Sequence, residues 1–234
     1  MQRSVTEELR VISAIQNASF VYVSFLLNTR IVFTMAYSVN QAKLVPPLNF
    51  ALVQPGVYRS GHPNTRNHAF LARLHLRTIV YISAEPYRSY MQSFVDTHGI
   101  HFMQIDVKGN KEPYDEMDQD AVVRVLQLVL DTRTHPILIH CDKGKHRVGC
   151  TIACLRKLEQ WSMSALFDEY HRICGQKVRL ADMEFMDVFD RQVQVIEKYL
   201  PWWFQVDKPL LPPDDPEMDD QFKIKACAVI LMDE

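Results

Sequence analysis

The sequence predicts an α/β domain with a central, mostly parallel sheet flanked by helices, and three observations carry that reading. Short β-branched and aromatic runs alternate with segments of helical apolar spacing through the middle of the chain. One run, Ile137-Leu138-Ile139, is apolar throughout, as suits a strand buried on both faces. That run leads through a short cationic loop into Val148 to Leu155, which suits a helix. The 234 residues fit one domain with appendages, and 47% hydrophobic content is ample for a core.

The first segment, 1–45, is an N-terminal extension. Ser4-Val5-Thr6-Glu7 has the form of a capping box ahead of an apolar stretch from Val11 to Leu27. Ser13, Gln16, Asn17, Ser19 and Ser24 interrupt that stretch, which falls short of the ~20 apolar residues a spanning helix needs. Glu7 and Glu8 offset Arg3 and Arg10, so the leading region lacks the positive charge of a secretory signal. The expectation is a cytoplasmic protein without a membrane anchor.

A phosphate-handling domain is expected over 46–200. Ala51 to Val53 and Val57 to Arg59 read as strands joined across Pro55-Gly56, a turn-forming pair. His68 to Leu74 is helical, Thr78 to Ile82 a strand, Tyr87 to Thr97 helical and, past Gly99, Ile100 to Ile105 strand-like. Asp118 starts a helix through Leu130 that places Val122, Val125, Leu126 and Val129 on one face. Pro136 precedes the strand that carries the loop. Later helices are expected at Ser164 to Arg172, Asp182 to Asp190 and Val193 to Leu200. In the 201–234 tail, Pro201-Trp202-Trp203-Phe204 can dock on the domain, and Pro209 to Asp220, acidic and proline-rich, is expected to be extended or disordered. Ala226 to Met232 reads as an added strand or a partner-binding segment.

The chemistry is concentrated in His140-Cys141-Asp142-Lys143-Gly144-Lys145-His146-Arg147-Val148-Gly149-Cys150. A strand-to-helix junction leaves first-turn N–H groups without partners, and with the helix dipole they form a socket for a phosphate dianion. A cysteine there, beside cations, titrates at about 3.5–7.5 rather than about 8.5, so Cys141 is expected to be a thiolate able to attack phosphorus. Arg147 supplies a planar fork for the equatorial oxygens of a phosphoryl group in flight, and Gly144 lets the backbone curl close to the anion. In open parallel sheets ligands bind beyond the carboxyl ends of the strands, where Cys141 falls.

Rival readings fit less well. A core cysteine would not need Lys143, Lys145, His146 and Arg147 crowded beside it. A zinc site from Cys141, His146, Cys150 and Cys154 lacks paired short-spaced ligands and would face three fixed cations. A nucleotide loop fails because no glycine stands five residues before Gly144 and His146 replaces the Ser or Thr after Lys145. The net charge of −2 gives no footprint for nucleic acid. Five cysteines, an odd number, form no disulfide framework, so a reducing compartment is the simpler expectation.

These residues also name a family. His140-Cys141, five residues, then Arg147 resembles the active-site loop of the protein tyrosine phosphatase superfamily, whose members use a cysteinyl-phosphate intermediate. The longer wording is similar to the atypical dual-specificity phosphatase branch that includes the inositol pyrophosphate phosphatases. Pro47-Leu48-Asn49-Phe50, Tyr58-Arg59-Ser60-Gly61, Gly109-Asn110-Lys111-Glu112-Pro113, Cys154-Leu155-Arg156-Lys157 and Phe167-Asp168-Glu169-Tyr170 resemble it too, over roughly Pro46 to Asp190.

The resemblance implies the cysteine-phosphatase fold and two-step hydrolysis, with Cys141 as nucleophile and Arg147 holding the transition state. It calls for no metal and no cofactor. Asp142, Lys143, Gly144, Lys145, His146 and Lys111 are the expected substrate-binding positions, with Lys177 and Arg179 as further cations. The partner is then a phosphorylated small molecule, an inositol polyphosphate, or else a phosphoprotein, with no nucleic acid. His140 is expected to tune Cys141 by hydrogen bonding. For the proton donor, Asp106, Glu112 and Asp115 stay open. Asp142 and Val148 depart from the branch, which carries Asn, Arg or Lys at the first position and Thr or Ser at the second. The alternatives are a phosphotyrosine or dual-specificity protein phosphatase and, outside enzymes, a feeble phosphate-binding or scaffold protein.

Overall fold

A computed structural model describes residues 21–27, 30–36, 44–110, 116–205 and 228–231. The chain forms two compact units, Met1–Lys43 and Leu44–Glu234. In the first, β1 (Val21–Leu27) pairs antiparallel with β2 (Arg30–Ala36), from Val21 opposite Ala36 to Leu27 opposite Arg30. The end of the apolar Val11 to Leu27 stretch is thus a strand, as its β-branched and aromatic content favours. The rest of that stretch and the capping box at Ser4 lie outside the described residues. Among the described residues no helix is long and apolar enough to cross a membrane.

The second unit is built on a five-stranded sheet ordered β3 (Ala51–Gln54), β4 (Val57–Gly61), β7 (Ile137–Cys141), β5 (Thr78–Ile82), β6 (His101–Ile105). Only β3 runs antiparallel, joined to β4 by the Pro55-Gly56 turn. Every residue of β5 and β7 is buried, which their unbroken apolar character anticipates. Alternate side chains of β7 serve opposite faces. Ile137 and Ile139 pack with α3 (Gln119–Val129), α4 (His146–Leu158), α5 (Met163–Cys174) and α6 (Leu180–Val188). Leu138 packs with α1 (His68–Ala72) and α2 (Ser89–His98) on the other side. This three-layer arrangement is the predicted fold, with β7 in the middle of the sheet and Cys141 at its carboxyl end.

Helix ends follow local chemistry. The Asp118 side chain accepts from the Asp120 amide to start α3, and Ser162 does the same for Ala165 in α5. Gly99, at φ 61°, ends α2 in the left-handed region.

One element is corrected. Val193 to Leu200, expected as a helix, forms β8 (Val193–Ile196) and a 3₁₀ turn, Glu197–Tyr199. Val193 and Val195 are buried and Gln194 is exposed, a period of two, and β8 pairs in parallel with β9 (Ala228–Leu231). The Ala226 to Met232 run is therefore an added strand over its described part. Phe204 is buried and the Trp203 indole N–H donates to the Pro55 carbonyl at 3.2 Å, so the aromatic run docks, although Trp202 is exposed. Pro209 to Asp220 lies outside the described residues.

Candidate active site

The loop between β7 and α4 is braced from β4 and the residues on either side of it. Three successive loop carbonyls each accept a donor there: Asp142 from the His62 amide at 3.0 Å, Lys143 from the Asn49 side chain at 2.7 Å, and Gly144 from Arg59 at 2.9 Å. Because a trans peptide places C=O and N–H on opposite sides, the amides of Lys143, Gly144 and Lys145 face away from these donors. Gly144 has φ 66°, and a Cβ on it would sit 2.4 Å from the Gly61 nitrogen and 2.5 Å from the Ser60 carbonyl carbon. Its close approach is thus to β4 backbone, whereas the sequence suggested an approach to the anion. Arg59, 1% exposed, is the buried clamp of this brace, and its Nε finds no partner among the described residues.

On the open side lies a cleft of about 440 Å³. Cys141, Asp142, Lys143, His146 and Arg147 of the loop line it, with Ser83, Glu85, Lys108, Gly109 and Arg179 opposite. Arg147 is fixed by donation from Nη1 to the Ile82 carbonyl at 3.1 Å and from Nη2 to Asp142 at 3.0 Å. The other Asp142 oxygen accepts from the Tyr81 hydroxyl at 3.1 Å. Burial, opposed in part by Ser83 and reinforced by the Asp142 charge, raises the Tyr81 pKa and keeps it a donor.

Beneath the loop sits a polar hub that sequence reasoning missed. Asp182, fully buried in α6, accepts from Asn110 at 2.9 Å and from Tyr170 at 2.5 Å, and one of its oxygens lies 2.8 Å from His146 Nδ1. Burial alone would raise the Asp182 pKa, but the bonds from His146, Tyr170 and Asn110 outweigh it and hold the carboxyl below its usual value. Asn110 in turn accepts from the Met117 amide at 2.7 Å. A second buried cluster joins Arg156 to Glu169 at 3.0 Å, to Glu159 at 2.9 Å and to the Val53 carbonyl at 3.0 Å. These contacts give the Gly-Asn-Lys-Glu-Pro, Cys-Leu-Arg-Lys and Phe-Asp-Glu-Tyr segments a shared purpose, the anchoring of α4.

The sequence profile of the tyrosine phosphatase family matches residues 44–206, most of the chain and all of this site. The chain belongs to the tyrosine phosphatase family. It is 47% identical over 147 residues to a protein of Oryza sativa subsp. japonica named inositol diphosphatase DSP1, covering 63% of this chain and 66% of that one. It is 39% identical over 158 residues to inositol diphosphatase SIW14 of Saccharomyces cerevisiae, covering 67% and 56%. A crystal structure described as the core catalytic domain of the PP-IP phosphatase SIW14 in complex with citrate superposes with a TM-score of 0.60 at 38% identity, over 63% of this chain and 89% of that one.

Cys141 and Arg147 share the cleft, as do Asp142, Lys143 and His146. Lys145 instead turns away and donates to the Cys174 carbonyl at 2.8 Å, while Gly144 shapes the loop without lining the cleft. Arg179 lines the cleft and Lys177 is exposed elsewhere. Lys111, Glu112 and Asp115 lie outside the described residues, and Asp106 is exposed at the end of β6 without lining the cleft. Lys108 and Glu85 were missed. Lys108 stands directly before the Gly-Asn-Lys-Glu-Pro run, the signal that pointed to it, whereas nothing around Glu85 does.

The histidine before the cysteine does not bond the sulfur. His140 is fully buried and its Nε2 lies 3.1 Å from the Tyr87 hydroxyl. Burial, then the neighbouring His62, depresses its pKa well below the ordinary value, against a smaller pull from the Cys141 backbone. His140 is therefore a neutral packing partner behind the thiol. Val148 is fully buried in the first turn of α4, and no hydrogen bond to the Cys141 sulfur is found among the described residues. Burial pushes the Cys150, Cys154 and Cys174 thiols up, which leaves them inert beside Cys141. No group of three or more His, Cys, Asp or Glu shaped to hold a metal occurs among the described residues.

Proposed function

We propose that this tyrosine phosphatase family member is a cysteine-dependent hydrolase of diphosphoinositol polyphosphates, acting on their pyrophosphate group. The observation that carries the reading is the placement of Cys141 at the end of β7 and Arg147 in the first turn of α4, facing one cleft whose rim holds Lys108, Lys143, His146 and Arg179. The relatives named inositol diphosphatases support the substrate class.

In the first step the Cys141 sulfur attacks the terminal phosphorus. A P–S bond forms, the P–O bond of the anhydride breaks, and the leaving phosphate carries off the electron pair. In the second, water attacks the same phosphorus, inorganic phosphate departs and the sulfur regains its pair. Arg147 and the amides of Lys143, Gly144 and Lys145 hold charge on the equatorial oxygens, so positioning and electrostatics supply most of the catalysis. A phosphate leaving group, with a second pKa of about 6, needs far less protonation than a phenol at about 10. That suits a cleft that, among the described residues, no aspartate outside the loop lines. Lys143, His146 and Lys111 supply further substrate contacts, Asp142 borders them, and Gly144 and Lys145 shape the loop. A cytoplasmic, reducing location fits the four described cysteines, all free thiols.

The second reading, a protein tyrosine or dual-specificity phosphatase, draws on the carboxylates of Asp142 and Glu85 in the cleft, which disfavour the most crowded polyanions. Phosphate release from a panel of diphosphoinositols, inorganic polyphosphate and phosphotyrosine peptides, with Cys141→Ser as control, separates the two. A higher specificity constant for a diphosphoinositol is expected, and a higher one for the peptides would refute the substrate assignment.

A further inference from the structure

Asp142 occupies one of the Arg147 donors that face the cleft. Of the Arg147 fork, Nη1 is committed to the Ile82 carbonyl at 3.1 Å and Nη2 to Asp142 at 3.0 Å. The Asp142 carboxylate cannot simply swing aside, because its second oxygen accepts from the Tyr81 hydroxyl at 3.1 Å, and Tyr81 belongs to β5 and is 1% exposed. Both members of the pair line the cleft, with side chains about one fifth exposed: 21% for Arg147 and 22% for Asp142. An incoming phosphoryl group must displace the carboxylate from Nη2 or bind the remaining Arg147 N–H groups with its own negative charge pressed against that of Asp142.

We propose that Asp142 is a specificity-determining residue, a resident carboxylate that competes with substrate for Arg147 and is locked in that position by Tyr81. This rests on reading the cleft as a phosphoryl site and deepens it. The competition costs every anion some affinity, but the repulsion grows with the charge brought near Asp142. Asp142 therefore narrows the accepted anions, disfavouring those whose further charges fall close to its carboxylate against those whose further charges lie toward Lys108, Lys143 and Arg179. Lys108, Lys143 and Arg179 around the same cleft retain the general preference for anions, so the outcome is selection among anions.

The test is calorimetric titration of the full chain with inorganic phosphate, in wild type, Asp142→Asn, Tyr81→Phe and the double variant. Asp142→Asn, nearly isosteric, should tighten phosphate binding about tenfold, the expected scale for removing one like charge from a partly solvated site. Tyr81→Phe should tighten it by a smaller factor, and the double variant should match Asp142→Asn alone, because the hydroxyl acts only through the carboxylate. Asp142→Ser guards against a fault peculiar to Asn and should move in the same direction. Unchanged or weaker phosphate binding in both Asp142 variants would overturn the proposal, as would a Tyr81→Phe effect that persists in the Asp142→Asn background. Diphosphoinositol hydrolysis measured alongside keeps the readings distinct. Tighter phosphate binding without that activity would uphold the role of Asp142 and refute the substrate class, and the converse pattern would do the opposite.

Discussion

On the cleft side of the loop, Cys141, Asp142, Lys143 and Arg147 line the open cleft, and one bond there, Asp142 to Arg147, joins two groups of the site itself. On the buried side, Gly144 is wedged against β4, Lys145 is tied to α5, and His146, at the edge of the cleft, meets Asp182 and Tyr170, with Asn110 donating to the same carboxylate. A single run of residues thus divides into a half that does chemistry and a half that fixes where the chemistry happens. The difference teaches that charge in a catalytic loop does not by itself mean contact with substrate. Lys145 carries the same charge as Lys143, yet its ammonium is spent on a backbone carbonyl.

The largest effect should come from the cleft half. Cys141→Ser is expected to abolish phosphate release while phosphate binding survives, checked by steady-state assay and calorimetry. Arg147→Lys should lower kcat by about 100- to 1000-fold with far less change in KM, because the fork acts on charge that develops in the transition state. A raised KM at unchanged kcat would instead make Arg147 a ground-state anchor.

The buried half should fail differently. Asp182→Ala leaves His146, Tyr170 and Asn110 without their common acceptor and is expected to cost about 3 kcal/mol of stability, read from urea denaturation. Surviving folded enzyme should keep a reactive Cys141 and lose kcat through a displaced loop. Wild-type stability in Asp182→Ala would remove the distinction between the halves.

The two halves were not equally legible in the sequence. The strand Ile137–Cys141, the cysteine and the arginine carry their meaning locally, through an apolar run, a fixed spacing and a cluster of cations, and all three stand where the sequence put them. Asp182 carries no local mark. Its partners are 72, 36 and 12 residues away in the chain, and only the fold brings Asn110, His146 and Tyr170 to it. The same blindness produced the error at Val193 to Leu200. Its apolar spacing tolerates a helix, and the strand form is selected by pairing with Ala228–Leu231, which no local window contains. For His140 the sequence suggested hydrogen bonding that tunes Cys141, and adjacency gave no sign of the Tyr87 hydroxyl that meets its Nε2 across the fold.

A smaller effect sharpens the comparison at the boundary of the halves. Val148 offers the cysteine sulfur no donor. A hydroxyl there would stabilise the departing thiolate in the second step, and Val148→Thr is expected to raise steady-state turnover about tenfold, since a hydrogen bond to a charged group contributes about 1.5–3 kcal/mol. Wild type should show a burst in rapid-quench time courses and Val148→Thr a diminished one. No burst and no gain would mean that breakdown of the intermediate is not limiting.

The smallest effect is on the pH dependence of stability. His140 and His62 have pKa values depressed in the fold, first by burial, so the unfolded chain binds protons that the folded chain refuses. Their contribution is fully present above about pH 6.5, the ordinary histidine value, and declines as pH falls toward the depressed values. Urea midpoints should decrease from pH 7.5 to pH 5.5. A variant with His62→Asn should show a shallower decrease, and an identical slope would exclude His62 as a contributor.

The most direct test of the account is to trap the bond it requires. Diphosphoinositol labelled in its terminal phosphate is mixed with enzyme, quenched in acid within milliseconds and the protein digested. The account predicts label on the peptide containing Cys141, near one per active site at early times, gone after substrate is exhausted and absent from Cys141→Ser. Phosphate release at full rate with no label on Cys141, or with label on another residue, would contradict it.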